Sequence, residues 1–175
     1  RGCGLFSNVD LLKAVRERHP DAFIIYKPHP DVESRNRKGR IPDEEALRYA
    51  DRVVRNVRMD VLLGIVDEVH TLTSLTGFEA LLRGIEVHAY GGPFYAGWGL
   101  THDRVDFPRR KAGLSLEELI AGTLILYPSY YDWQTKGFCT PEDICHRLTQ
   151  PKGQMRGKFF MRTFAALREK IRNVF

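Results

Sequence analysis

The chain lacks any long hydrophobic run. No stretch approaches the roughly 18 consecutive apolar residues that a membrane-spanning helix needs, and no signal-peptide pattern is present. Cysteine is scarce, limited to Cys3, Cys139 and Cys145. Three irregularly spaced thiols exclude a disulfide framework and read as reduced. They also lack the CxxC or HxxxH spacing of a zinc site, so Cys139, Cys145 and His146 are expected to hold no metal. Acidic residues are in deficit, 22 against 27 Lys and Arg, which leaves a net charge of +5. Such a balance favours anionic partners, among them nucleotides, phospholipid surfaces and nucleic acid. The first residue is Arg1 rather than a methionine, and the chain is expected to be a fragment of something longer.

What is present suits a folded domain. Of 175 residues, 43% are hydrophobic and 28% charged, enough to bury a substantial core. Residues 1–150 read as a Rossmann-like α/β domain and residues 151–175 as a basic amphipathic helix. Ser7 and Asp10 form a capping box for a first helix, which Pro20 stops. Ala22 to Tyr26 is a strand apolar on both faces, as in the interior of a parallel sheet. A helix that runs at once into a buried strand suggests a preceding strand upstream, with Arg1 just after it. Short helices are expected from Pro42 and from Met59, with a short strand over 52–55 between them. Ser115 and Glu118 make a second capping box, for a helix to about Leu126 with Leu116, Leu119, Ile120, Thr123 and Leu124 inward. Tyr127 to Trp133 is an aromatic cluster expected to pack that helix on the sheet. Thr140 caps one more helix. Alternation of helix and strand predicts an α/β layer around a parallel sheet.

Three loops carry the candidate chemistry. The strand from Ala22 runs into Lys27-Pro28-His29-Pro30-Asp31, where prolines fix the backbone and present Lys27 and His29 to a ligand. An imidazole beside a cation suits a phosphate leaving group, although a turn histidine facing water satisfies the same pattern. A second strand ends at Thr73, Ser74, Thr76 and Gly77, where a helix begins. Unpaired N–H groups there would favour a phosphate or carboxylate, and ordinary capping by the hydroxyls is the competing reading. Glu79 in the first turn would cap backbone donors or accept ribose hydroxyls. The third loop, Gly91 to Gly99, holds four glycines and three aromatics in nine residues. That composition lets a ligand approach the backbone closely, and Gly91, Gly92, Tyr95, Gly97 and Trp98 are its candidates. Arg109, Arg110 and Lys111 either track a charged ligand or face water. Aromatics that cluster with glycines rather than alternating with basic residues argue against nucleic acid.

Taken together, Tyr26-Lys-Pro-His-Pro-Asp31, the run from Thr71 to Leu81 and the stretch from Tyr90 to Gly99 resemble the capsule polysaccharide synthesis family of KpsC and LipB type, over about residues 5 to 150. The resemblance implies a retaining β-Kdo glycosyltransferase of GT-B architecture and, for this chain, its C-terminal, donor-binding half, lacking a first strand. CMP-Kdo would be the donor, with no metal or other cofactor, and a lipid-linked glycan the acceptor. His29 would contact the CMP phosphate, Ser74 and Thr76 the phosphate or Kdo carboxylate, and Glu79 the ribose. The nucleophilic carboxylate would lie upstream of Arg1, and an acceptor-binding domain would also lie outside the chain, which alone is expected to be inactive. A cytoplasmic setting, peripheral on the inner membrane, follows from the same resemblance. Another nucleotide sugar, or a non-catalytic nucleotide- or membrane-binding module, remains an alternative. The basic segment from Lys152 fits an anionic membrane surface and a neighbouring domain equally.

Overall fold

The structure, a computed structural model, describes residues 7–29 and 39–149. Arg1, which the sequence reading sets just after a missing strand and a nucleophilic carboxylate, lies outside the described residues. So do Pro30, most of the loop from Glu33 and the segment from Lys152. Two compact units divide between Thr123 and Leu124, so the boundary expected at residue 150 falls within the second unit.

In the first unit, α1 (Asn8–Arg18) begins at the expected capping box: Ser7 accepts from the Asp10 amide while the Asp10 carboxylate accepts from the Ser7 amide. β1 (Ile25–Tyr26), α2 (Asp43–Ala46), β2 (Arg52–Val53) and α3 (Met59–Leu62) follow. Next come β3 (Glu68–Thr71), α4 (Thr76–Leu81), β4 (Glu86–Ala89), β5 (His102–Asp103) and α5 (Leu116–Ile120). β1 pairs parallel with β2, and β3, β4 and β5 form a parallel three-stranded sheet in that order. The parallel α/β layer expected from the alternation is therefore present, with shorter elements.

Two apolar clusters hold these elements. Leu12 and Val15 of α1 pack with Ile24, Ile41, Ala46, Ala50 and Tyr90, and Tyr26 and Leu72 lie against the same cluster. Tyr26 ends β1, Leu72 follows β3 and Tyr90 follows β4, so the carboxyl ends of three strands meet at one place. Ligands of open parallel sheets bind beyond such an edge. The second cluster gathers Phe78, Ala80 and Leu81 of α4, Val87 of β4, Leu63, Tyr95 and Leu119. Burying side chains of this size contributes about 1.5–3 kcal/mol each.

Arg16 closes the first cluster on its polar side. Its guanidinium donates to the carbonyls of Tyr49 at 3.0 Å and of Pro20 and Ala22 at 2.9 Å, and it pairs with Asp51. Asp51 in turn accepts from the Ile24 amide at 2.7 Å, which locks α1 to the entry of β1.

After α5 the helix widens into a π-helical stretch over Ala121–Leu126. A π-helix bonds five residues along instead of four, so its faces slip relative to an α-helix. The slip corrects the expected inward stripe: Leu119 is buried, whereas Leu124 is exposed and Leu126 is 81% exposed. In the second unit, β6 (Tyr130–Asp132) and β7 (Gly137–Cys139) form an antiparallel hairpin that the aromatic composition concealed. Tyr131 meets Trp133 and Phe138 edge to face within this hairpin, and Tyr127 is exposed rather than packed on a sheet. The hairpin leads into α6 (Pro141–Thr149), where Thr140 accepts from the Asp143 amide.

The Ile24 amide, then Arg16, hold the Asp51 carboxyl below its ordinary range. A carboxyl depressed in the folded state favours folding fully above its unfolded value of about 4 and loses that contribution as pH falls through the folded value. The urea midpoint of Asp51→Asn is therefore expected below that of the parent chain at neutral pH. The two midpoints should converge in acid, which urea titrations at both pH values would check.

Candidate functional site

The loop between β3 and α4 is built from its own hydroxyls. The Ser74 amide donates to Thr71 Oγ1 at 3.1 Å, the Thr76 amide to Ser74 Oγ at 3.2 Å, and the Gly77 amide to the Ser74 carbonyl at 3.2 Å. Leu75 occupies the N-cap position and offers no capping side chain, so Ser74 supplies the hydroxyl one residue earlier. Those three donors are satisfied within the loop. What faces outward is hydroxyl chemistry. Thr73 is exposed, Ser74 and Thr76 are half-buried, and Ser74 Oγ donates to Thr76 Oγ1 at 3.0 Å. Glu79, one turn into α4, is also half-buried.

Tyr95 holds this loop from beneath. It is 1% exposed, and its phenol donates to the Ser74 carbonyl at 2.5 Å. Burial pushes its pKa up, so it stays a donor throughout the accessible pH range. A Cβ on Gly77 would stand 2.3 Å from Tyr95 Oη, which explains glycine at that position. Likewise a Cβ on Gly91 would stand 2.5 Å from the Leu72 carbonyl, because the loop after β4 crosses directly over the loop after β3.

The glycine and aromatic loop is fastened from within. Arg110 donates to the carbonyls of Pro93 at 2.7 Å and Ala96 at 2.6 Å, while its guanidinium lies over the rings of Phe107 and Trp98. Trp98 donates to the Phe94 carbonyl at 2.8 Å, and the Gly97 amide donates to Asp103 at 2.9 Å. Trp98 and the Gly97 amide thus support their own loop and Tyr95 the loop after β3, while Gly97 and Trp98 stay half-buried. Arg110, half-buried, staples the loop. Gly91 is half-buried and Gly92 exposed.

On the β1 side, Pro28 is buried and His29 exposed. Lys27 is half-buried and donates one of its three N–H bonds to the Arg55 carbonyl at 3.0 Å. The structure therefore brings the loops after β1, β3 and β4 to one edge. A cavity of about 270 Å³ beside Gly97 is lined by Asp103, Asp106 and the already bonded Arg110, a poor lining for a phosphate. A cavity of about 420 Å³ lies in the second unit, among Asp132, Cys139, Asp143, His146 and Arg147. Cys139, Cys145 and His146 do not converge there as a metal-binding group.

One group of residues escaped the sequence reading. Period-two alternation along β3 and β4 turns Val69 and Val87 toward α4 and turns Glu68, His70, Glu86 and His88 to the opposite face. His70, His88 and His102 sit side by side in register across three strands. Their rings stack at 4.4 Å and 4.7 Å between centroids. Burial first, and then the neighbouring His88, push His70 down to about 4, so it is neutral at pH 7. Burial would raise Glu68, but the His70 hydrogen bond and the imidazoles around it leave its carboxyl below the ordinary range. The available signal was the repeat Glu68-Val69-His70 and Glu86-Val87-His88, which acquires meaning only when the two strands are known to be neighbours.

These features define an α/β domain with parallel sheets and flanking helices, and comparison places it. A family model described as "Capsule polysaccharide biosynthesis protein" matches residues 5–130, and the chain belongs to that family. It is 52% identical over 152 residues to the capsule polysaccharide modification protein LipA of Neisseria meningitidis serogroup B, covering 87% of this chain and 22% of that protein. It is 42% identical over 130 residues to the lipopolysaccharide-processing protein LpsZ of Rhizobium meliloti, covering 74% of this chain and 30% of LpsZ. The chain thus spans between a fifth and a third of these relatives. Among solved structures, the β-Kdo 2,7 transferase of Thermosulfurimonas dismutans KpsC superposes with a TM-score of 0.74 at 44% identity, covering 84% of this chain and 47% of that one. The β-Kdo 2,4 transferase of the same KpsC gives a TM-score of 0.68 at 33% identity, covering 79% of this chain and 43% of that one.

If Tyr95 supports the loop through Gly77, Gly77→Ala is expected to cost about 1–3 kcal/mol by overpacking. Gly122→Ala, where a Cβ meets nothing within 4 Å, should be neutral or slightly stabilising. Urea denaturation of both variants checks the contrast.

Proposed function

We propose that this chain is the donor-binding part of a glycosyltransferase that moves β-Kdo from CMP-Kdo to a lipid-linked acceptor during synthesis of a capsule linker. The observation that carries the reading is 44% identity over 84% of the chain to a β-Kdo transferase of matching fold. The local geometry supports it: the strand ends deliver an imidazole, an ammonium, a group of hydroxyls and a carboxylate to one edge.

CMP-Kdo bears a phosphodiester and a sugar carboxylate. His29 and Lys27 face the phosphate, where positive charge or an N–H donor stabilises the negative charge that grows on departing CMP. Thr73, Ser74 and Thr76 donate hydroxyl hydrogens to the phosphate or to the Kdo carboxylate, beside three loop amides that are engaged within the loop. Glu79 accepts from the ribose hydroxyls. In the retaining route a carboxylate attacks the anomeric carbon as CMP leaves, and an acceptor hydroxyl then displaces the enzyme. The attacking carboxylate is assigned to no residue from Arg1 onward, and this chain binds and releases the nucleotide.

Because the acceptor is lipid-linked in this reading, the partners are that lipid, an acceptor-binding domain and an inner-membrane surface on its cytoplasmic side. Among the described residues no helix is long and apolar enough to cross a membrane.

Isothermal titration with CMP, UDP and GDP tests the assignment. CMP is expected to bind most tightly, with His29→Ala and Ser74→Ala each weakening it by about tenfold, the loss of one charge-assisted contact. Preference for UDP or GDP would move the chain to another nucleotide sugar. Full CMP affinity in both variants would remove the site from this edge.

A further inference from the structure

The polar face of the β3–β4–β5 sheet is remote in chemistry from nucleotide binding, and it gathers more imidazole than a solvated surface requires. His19, the C-cap residue of α1, points its ring at this face. We propose that His19, Glu68 and His70 bind a divalent cation of the zinc class, with water completing the coordination.

Geometry carries the proposal. The ligand atoms of His19, Glu68 and His70 all lie within 4.8 Å of one another, and Glu68 Oε2 stands 3.1 Å from His70 Nε2 and 3.8 Å from His19 Nε2. Ligands about 2.0–2.1 Å from a tetrahedral zinc ion are about 3.3 Å apart. Two imidazoles on such an ion place their ring centroids about 5 Å apart. The His19 and His70 centroids are 5.2 Å apart, with planes at 71°. His19 Nε2 is buried and has no hydrogen-bond partner, so it is available as a ligand atom. The Tyr90 phenol lies 3.2 Å from His70 Nδ1, where it can accept an Nδ1 proton once the ion replaces the hydrogen bond between Nε2 and Glu68, leaving Nε2 as the ligand.

The neighbouring histidines are differently disposed. Arg104 has only donors, and it lies 3.2 Å from His88 Nδ1, so that nitrogen carries the lone pair and Nε2 carries the proton. His88 is 6% exposed, and its Nε2 sits 3.4 Å from Glu68 and 3.2 Å from Glu86 without hydrogen-bond geometry to either. It is an N–H neighbour of the carboxylates and not a ligand. Parallel stacking of His70 and His88 at 4.4 Å likewise does not suit two rings on one tetrahedral ion. The second group, Glu86, His88 and His102, is thereby excluded as the ion's site.

The bound ion would tie the end of α1 to β3, and so would steady the sheet whose strand ends carry the nucleotide loops. It departs from the expectation of a metal-free chain, yet gives the metal no part in glycosyl transfer.

Cobalt(II) added to the full chain reads coordination directly through its visible absorption. One equivalent is expected to give the intense bands of a four-coordinate site, lost or weakened by more than about tenfold in His70→Ala and in Glu68→Gln, and kept in His102→Ala. Zinc should raise the melting temperature of the parent and of His102→Ala, but not of Glu68→Gln, a substitution that preserves side-chain size should His70→Ala fail to fold. Three results would overturn the proposal: no four-coordinate spectrum, unchanged binding in Glu68→Gln, or a thiolate charge-transfer band assigning the ion to cysteine.

Discussion

The Tyr95 phenol occupies the position that any side chain on Gly77 would need, and its hydroxyl takes the Ser74 carbonyl from below. Two loops that leave neighbouring strands are joined by this one buried contact. Without it the loop after β3 would have to find other partners for a buried phenol and a carbonyl, each costly to leave unpaired. Arg110 does the same for the loop after β4, through two carbonyls and two aromatic faces. The result is a firmly shaped edge that carries the hydroxyls of Thr73, Ser74 and Thr76. A rigid edge of this kind presents donors at fixed positions and loses little conformational entropy when a ligand arrives.

The same three short strands serve two chemistries because of the β pleat. One face buries Val69 and Val87 under α4, and the other collects Glu68, Glu86 and the in-register histidines. The ends of β3 and β4, in turn, project two of the loops proposed to bind the nucleotide. Tyr90 joins the two, since it packs at the strand ends and its phenol lies 3.2 Å from His70 Nδ1. That arrangement suits a family in which the fold is retained while the transferred linkage differs between the 2,4 and 2,7 transferases of KpsC.

Local signals were legible where short-range chemistry decides. The capping boxes at Ser7 and Ser115 and the cap at Thr140 all appear as read. The alternation of helix and strand foretold the parallel pairing, and Tyr26, Leu72 and Tyr90 at the ends of β1, β3 and β4 share one apolar cluster. Long-range relations were not legible. Tyr95, Trp98 and Arg110 look like ligand contacts when only residue types are known, and only the folded path shows Tyr95 bonded to the loop after β3 and Trp98 and Arg110 bonded to the loop after β4. Widening of the helix after Ile120 depends on backbone bonding that no side-chain pattern announces. The two Glu-Val-His triplets were visible as letters, but the register between β3 and β4 is what turns them into a cluster.

The central claim is that the loops after β1, β3 and β4 together form the nucleotide-binding edge. Amide hydrogen exchange followed by mass spectrometry, with and without saturating CMP, tests it most directly. Protection is expected in peptides covering Lys27 to His29, Leu72 to Glu79 and Gly91 to Gly99 together. Protection confined to the hairpin and helix from Tyr130 to Thr149, or in only one of the three loops, would contradict the account.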